Sequence, residues 1–142
     1  MFRRILIPTD LTDRTFNALE IAAGIGDTDD TLVTLVHVIE TISGAEFDEF
    51  ASFYRTLEAR ARGRLDEMAA RWKGKGHVDV AIVYGKRAEE VLRFANANEM
   101  DLIIVPSHPV DPSEPFRGVG TMSYKLAIFA PCAVLLIKDE RR

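Results

Sequence analysis

The sequence predicts an α/β protein built on a five-stranded, parallel, doubly wound sheet with helices on both faces, as one domain over residues 1–142. Three observations predict it. Short runs that are apolar at every position recur along the chain, as strands buried on both faces require. Segments with apolar residues every three or four positions lie between them, and strands alternating with helices imply right-handed crossovers and a parallel sheet. Glycine and proline clusters mark the junctions, with no linker, repeat or charge run to divide the chain.

Taken in order, Ile5-Leu6-Ile7 is a first short strand ended by Pro8-Thr9-Asp10. Thr12 or Asp13 can cap a helix whose stripe is Phe16, Leu19, Ala22 and Ala23, and which Gly24, Gly26 and the acids Asp27 to Asp30 stop. Leu32 to Ile39 is the second strand. A longer helix follows, in which Phe47, Phe50, Tyr54, Leu57, Ala61, Leu65, Met68 and Trp72 step by helical spacing to Gly74-Lys75-Gly76. That aromatic stripe has the spacing of a core-facing helix, so packing rather than cofactor stacking explains it. Val78 to Tyr84 forms a third strand, and Ala88, Val91, Leu92 and Ala95 stripe a third helix. Leu102 to Val105 is the fourth strand. A proline-rich loop, a helix from about Thr121 to Phe129 and a fifth strand from Cys132 to Lys138 complete the order.

The totals exclude several classes. At 142 residues, 47% apolar and 28% charged, the chain can bury a core without staples and has neither a disordered nor a membrane composition. A net charge of -4 gives no nucleic-acid footprint, so no nucleic-acid partner is expected. Lone Cys132 has no disulfide partner within the chain, and it reads as a small buried hydrophobe. Met1-Phe2-Arg3-Arg4 is basic, yet the apolar stretch behind it ends at Ile7. That is too short for a signal core or a membrane span, so a cytoplasmic protein with no membrane partner is expected.

In open parallel sheets ligands bind beyond the carboxyl ends of the strands, where neighbouring crossovers go to opposite faces. The residues to inspect are therefore Pro8-Thr9-Asp10, Val38-Ile39-Glu40, Tyr84-Gly85-Lys86, and Pro106 onward through Gly120-Thr121. Three histidines, His37, His77 and His108, are scattered without a second ligand at helical or hairpin spacing, so no metal site is expected. His37 sits inside an apolar strand and reads as a satisfied residue in or near the core. No nucleophile, base and acid can be grouped by spacing, so no catalytic residue is named.

Ile5-Leu6-Ile7-Pro8-Thr9-Asp10, Leu35-Val36-His37-Val38, Tyr84-Gly85, Asp101 to Val105, and Gly120-Thr121 through Ala130-Pro131-Cys132 into Ala133 to Ile137 together resemble the universal stress protein family. The resemblance spans essentially the whole chain and implies the adenine-nucleotide alpha-hydrolase-like arrangement of the sheet. It also implies a role in stress response and homodimerisation through the last strand, Cys132 to Lys138; a bare apolar edge invites such pairing. By the same resemblance Asp10 matches the family's ribose-contacting acid, and Pro8 (with Thr9 beside it) and Val38 match the adenine slot. Gly120, Thr121, Met122 and Ser123 match the segment that receives phosphates. Exposed N–H groups at a helix start, with a hydroxyl, favour an anion; a plain helix cap is the other reading of Thr121.

The other half of the phosphate motif departs from the family. Nucleotide-binding members carry Gly-x-x-Gly at a fixed distance before Gly-Ser or Gly-Thr. Here Pro106 and Pro109 stand at the two glycines, and ten residues separate Pro109 from Gly120, one more than the family spacing. Sliding the alignment by one places Ser107 and Val110 there instead, and neither choice recovers a glycine. Proline fixes φ and has no N–H to give. Each lost hydrogen bond to a charged phosphate costs roughly 1.5–3 kcal/mol, so two losses remove roughly two to four decades of affinity. Pro106, Pro109, Pro112 and Pro115 repeat by threes, the period of polyproline II, which makes a stiff, exposed connection. His108 and Arg117 remain candidate anion contacts near Gly120.

The sequence thus leads to a homodimeric stress-response accessory or signalling protein with weak or no ATP binding, no expected cofactor and an unidentified protein partner. The alternative is an ATP-binding member, with magnesium and slow hydrolysis or self-phosphorylation, if the altered loop is tolerated. A phospho-receiver would need an acceptor aspartate where the third strand ends in Tyr84-Gly85, and Leu11-Thr12-Asp13 lacks the serine- and glycine-rich loop of a nucleotide alpha-hydrolase.

Overall fold

Both-face-apolar runs pair into a sheet because each buries two rows of side chains at once. The computed structural model describes residues 2–26, 29–41, 47–72, 76–107, 113 and 121–138. In chain order these form β1 (Arg4–Pro8), α1 (Arg14–Ile25), β2 (Leu32–Glu40), a 3-10 turn (Phe47–Phe50), α2 (Ala51–Arg71), β3 (His77–Gly85), α3 (Arg87–Ala97), β4 (Leu102–Ser107), α4 (Met122–Phe129) and β5 (Ala133–Lys138). The five strands form one parallel sheet in the order β3-β2-β1-β4-β5, the fold the sequence predicts.

Strand alternation divides the core in two. Ile5, Ile7, Val33, Leu35, Leu102 and Ile104 face α1 and α2, where they meet Leu19, Leu65, Met68 and Trp72. Leu6, Val36, Val38, Ile103 and Val105 face the opposite way and pack on Val91 and Ala95 of α3 and Leu126 of α4. The stripe through α2 is thus core packing, with Tyr54, Ala61, Leu65 and Met68 buried. The chain proceeds outward from β1 through β2 to β3 with helices on one face, then returns across the sheet to β4 and β5 with helices on the other. The reversal falls between β1 and β4.

At that seam the pairing is short. Ile5 lies opposite Leu102 and Leu6 opposite Ile103, while β1 continues to Pro8 and β4 to Ser107, each paired on its other side. Beneath the seam Asp101 Oδ2 accepts the amides of both Arg3 and Arg4 at 2.9 Å, and the Asp101 amide donates to the Arg4 carbonyl at 2.8 Å. The strands are clamped at one end, and their ladder stops short of the other.

Two boundaries differ from expectation. α1 runs through Gly24, whose position is open with nothing near a would-be Cβ, and stops at Gly26, whose amide donates to the Ala22 carbonyl. Pro106 belongs to β4 rather than to a loop, opposite Ile137 of β5. A missing N–H is tolerated there because the ladder with β1 has already ended at Ile103. The rest of the proline-rich stretch, with His108, Pro109, Pro112, Pro115, Arg117 and Gly120, lies outside the described residues, as does Gly74-Lys75.

Candidate functional site

In open α/β sheets ligands bind beyond the carboxyl ends of the strands. Over the carboxyl ends of β1 and β2, under α3 and α4, lies a cavity of about 120 Å³ lined by Pro8, Thr9, Asp10, Val36, His37, Val38, Arg87, Val91 and Met122. Of the residues singled out in the sequence, Pro8, Thr9, Asp10, Val38 and Met122 are brought together here. Thr121 is the N-cap of α4, its hydroxyl accepting the Tyr124 amide at 3.5 Å, and Ser123 follows in the first turn; neither lines the cavity. Ser107 ends β4 opposite Lys138, and Gly120 lies outside the described residues.

The turn after β1 is built by short polar side chains that hydrogen-bond locally. Buried Thr9 donates its amide to the Val36 carbonyl at 2.9 Å, continuing the β1–β2 ladder by one step. Its hydroxyl oxygen accepts the Leu11 amide at 2.9 Å and meets the Thr15 hydroxyl at 2.6 Å. Leu11 takes a positive φ of 70°, an uncommon conformation for a branched residue. Arg64 of α2 braces that strained turn, donating from Nε to the Leu11 carbonyl at 3.0 Å and from a terminal nitrogen to Asp13 at 2.6 Å.

The brace and the threonines leave Asp10 facing the cleft. Its Oδ1 accepts both the Thr12 amide at 3.0 Å and the Thr12 hydroxyl at 2.6 Å. Partial burial pushes the carboxyl upward, but the Thr12 hydroxyl and amide and the Arg14 charge together outweigh it and hold Asp10 below the ordinary aspartate range. The site therefore presents an ionised carboxylate, an acceptor for a hydroxyl or amine donor.

Val36 and His37 join the wall from β2, the strand whose Val38 the sequence singled out, and Arg87 and Val91 join it from α3, which it did not. His37 is half-buried, and its Nδ1 donates to the Thr9 carbonyl at 2.8 Å, which ties the end of β2 to the turn after β1. This matches the reading of His37 as a satisfied residue. Arg87 opens α3, and the signal that could have found it is its place just beyond Tyr84-Gly85-Lys86 at the end of β3. No group of three or more His, Cys, Asp or Glu placed to hold a metal occurs among the described residues.

This geometry defines an open doubly wound α/β domain with a half-apolar cleft and one anchoring carboxylate at its topological switch point. A model of the universal stress protein family matches residues 1–138. The chain belongs to that family. It is similar to a universal stress protein of Thermus aquaticus, with 28% identity over 97% of this chain and 100% of the relative. Among solved structures it shares its fold with hypothetical protein MJ0577, at a TM-score of 0.80, 23% identity and coverage of 100% of this chain and 99% of that one. It also shares the fold with a family protein from Arabidopsis thaliana solved with AMP bound, at a TM-score of 0.69, 18% identity, and 97% and 92% coverage.

Proposed function

We propose that this universal stress protein is a non-catalytic, cytoplasmic accessory protein that acts as a homodimer, whose cleft keeps the nucleoside half of a nucleotide site and has lost the grip on a triphosphate. The reading predicts weak or no ATP binding. The observation that carries it is the pairing of a cleft formed by Pro8, Asp10, Val38 and Met122 with Pro106 at the end of β4. Apolar walls and a hydroxyl-accepting carboxylate suit a nucleoside. A residue without an N–H, in the strand that should feed the phosphate turn, does not suit a phosphate chain. AMP in the Arabidopsis relative supports the nucleoside half of this reading.

Dimerisation is supported by the outer edge of the sheet. β5 is an edge strand of the described sheet, and next to it α4 leaves Ile128 and Phe129 59% and 67% exposed. An apolar edge flanked by such side chains is a liability for a lone chain and an asset for a pair.

Calorimetric titration with adenosine and with ATP–magnesium tests the site. ATP should bind no more tightly than the millimolar range, and Pro106→Gly should strengthen it roughly tenfold or more, the value of one regained charge-assisted hydrogen bond. Submicromolar binding of ATP by the unaltered chain would overturn the proposal and promote the ATP-binding, slowly hydrolysing alternative. Light scattering tests the dimer: the pair Ile128→Glu and Phe129→Glu should give monomers.

A further inference from the structure

The described walls of the cleft carry one carboxylate and one guanidinium, Asp10 on the β1 side and Arg87 on the α3 side, with Pro8, Val36, Val38, Val91 and Met122 between them. Asp10 accepts and Arg87 donates, so the two ends select opposite chemistry. An anion entering with its charge toward Asp10 is repelled; turned the other way, it meets a planar fork of donors matched to paired oxygens.

Two features make Arg87 available. Its described partner is Glu40, with Nε 3.6 Å from the carboxylate and side-chain exposures of 54% and 60%. An exposed pair at that distance contributes little and yields to a better oxyanion. The place where Arg87 emerges is fixed by Gly85, which leaves β3 at a φ of +143°, where a Cβ would meet Glu90 Cγ at 2.7 Å. That positive φ turns the chain from the end of β3 into the first residue of α3 and sets Arg87 at the rim.

We propose that Arg87 is the oxyanion anchor of this cleft, which selects a small hydroxylated ligand bearing one phosphate monoester, its hydroxyls on Asp10 and its phosphate on Arg87. Among the described cleft walls Arg87 is the one cation, a match for one phosphate rather than a chain of them. The inference rests on reading the cleft as a nucleoside-sized site, and it assigns that site an anionic end.

Calorimetry on the full chain, with adenosine, AMP and ribose 5-phosphate as probes, tests it. AMP should bind about tenfold more tightly than adenosine, the low end of what a charge-assisted hydrogen bond supplies. Arg87→Ala should erase that ratio, and Arg87→Lys should restore part of it. Glu40→Gln, which removes the competing carboxylate, should widen the ratio about twofold to threefold; a merely structural pair would not. If adenosine binds but Arg87→Ala keeps the AMP advantage, or Glu40→Gln narrows it, the anchor is wrong and the nucleoside cleft stands. If ribose 5-phosphate binds through Arg87 and adenosine does not bind, the anchor stands and the nucleoside reading falls. Binding of no probe overturns both. Should Arg87→Ala fail to fold, Glu40→Gln decides alone.

Discussion

Replacing Thr15 by valine keeps the volume of the side chain and removes its hydroxyl, which isolates one hydrogen bond beneath the cleft. Thr9 and Thr15 are 7% and 1% exposed, so water does not reach the pair. The Thr9 oxygen already accepts the Leu11 amide at 2.9 Å, and its described remaining partner is Thr15 at 2.6 Å. Thr15→Val therefore strands a buried hydroxyl, at a cost of roughly 1–3 kcal/mol. For a chain of this size each kcal/mol shifts Tm by about 4 °C, so a fall of roughly 4–12 °C is expected by differential scanning calorimetry. Thr15→Ser keeps the hydroxyl and loses one methyl, and should recover most of the fall. A Tm for Thr15→Val within about 1 °C of the parent would refute the claim that this bond holds the turn carrying Asp10.

Asp10 supplies a second prediction. Its carboxyl is held low in the folded state, so its contribution is complete above the ordinary aspartate range and fades as pH falls through the lowered value. The stability gap between the parent and Asp10→Asn should therefore be constant near neutrality and close under acid; a gap that widened on acidification would contradict the Thr12 hydrogen bonds. Gly85→Ala should destabilise by about 1 kcal/mol or more, because alanine resists a φ of +143° and its methyl meets Glu90; a neutral result in urea unfolding would count against a fixed α3 entry. Burial, with the Asp101 charge adding to it, pushes the Cys132 thiol up. Alkylation by iodoacetamide at neutral pH should be slower than that of free cysteine, and a faster rate would refute this.

The strands could be read from residues because a segment apolar at every position has few other fates, and Ile103 and Ile104 do go to opposite cores. Pro8, Asp10 and Val38, which line the cavity, were legible because they stand at strand ends, where such sheets bind ligands, while Met122 came from the family resemblance. What escaped was cooperative. Arg87 reaches the cleft because Gly85 turns the chain, and His37 joins two strand ends through a carbonyl that has no sequence signature. Pro106 was read as loop because proline disfavours interior strands, yet the β1 ladder has ended before the missing donor would matter. Gly24 failed to stop α1 because an exposed helix position tolerates glycine at a cost of about 1 kcal/mol.

The clamp made by Asp101 on the amides of Arg3 and Arg4 gives the seam a mechanical sense. It registers β1 against β4 from the bottom of the sheet, where Ile5 and Leu6 meet Leu102 and Ile103 and the ladder between the two strands begins. β5 is stitched to β4 over six residue pairs, so the outer edge of the described sheet takes its register from the same clamp.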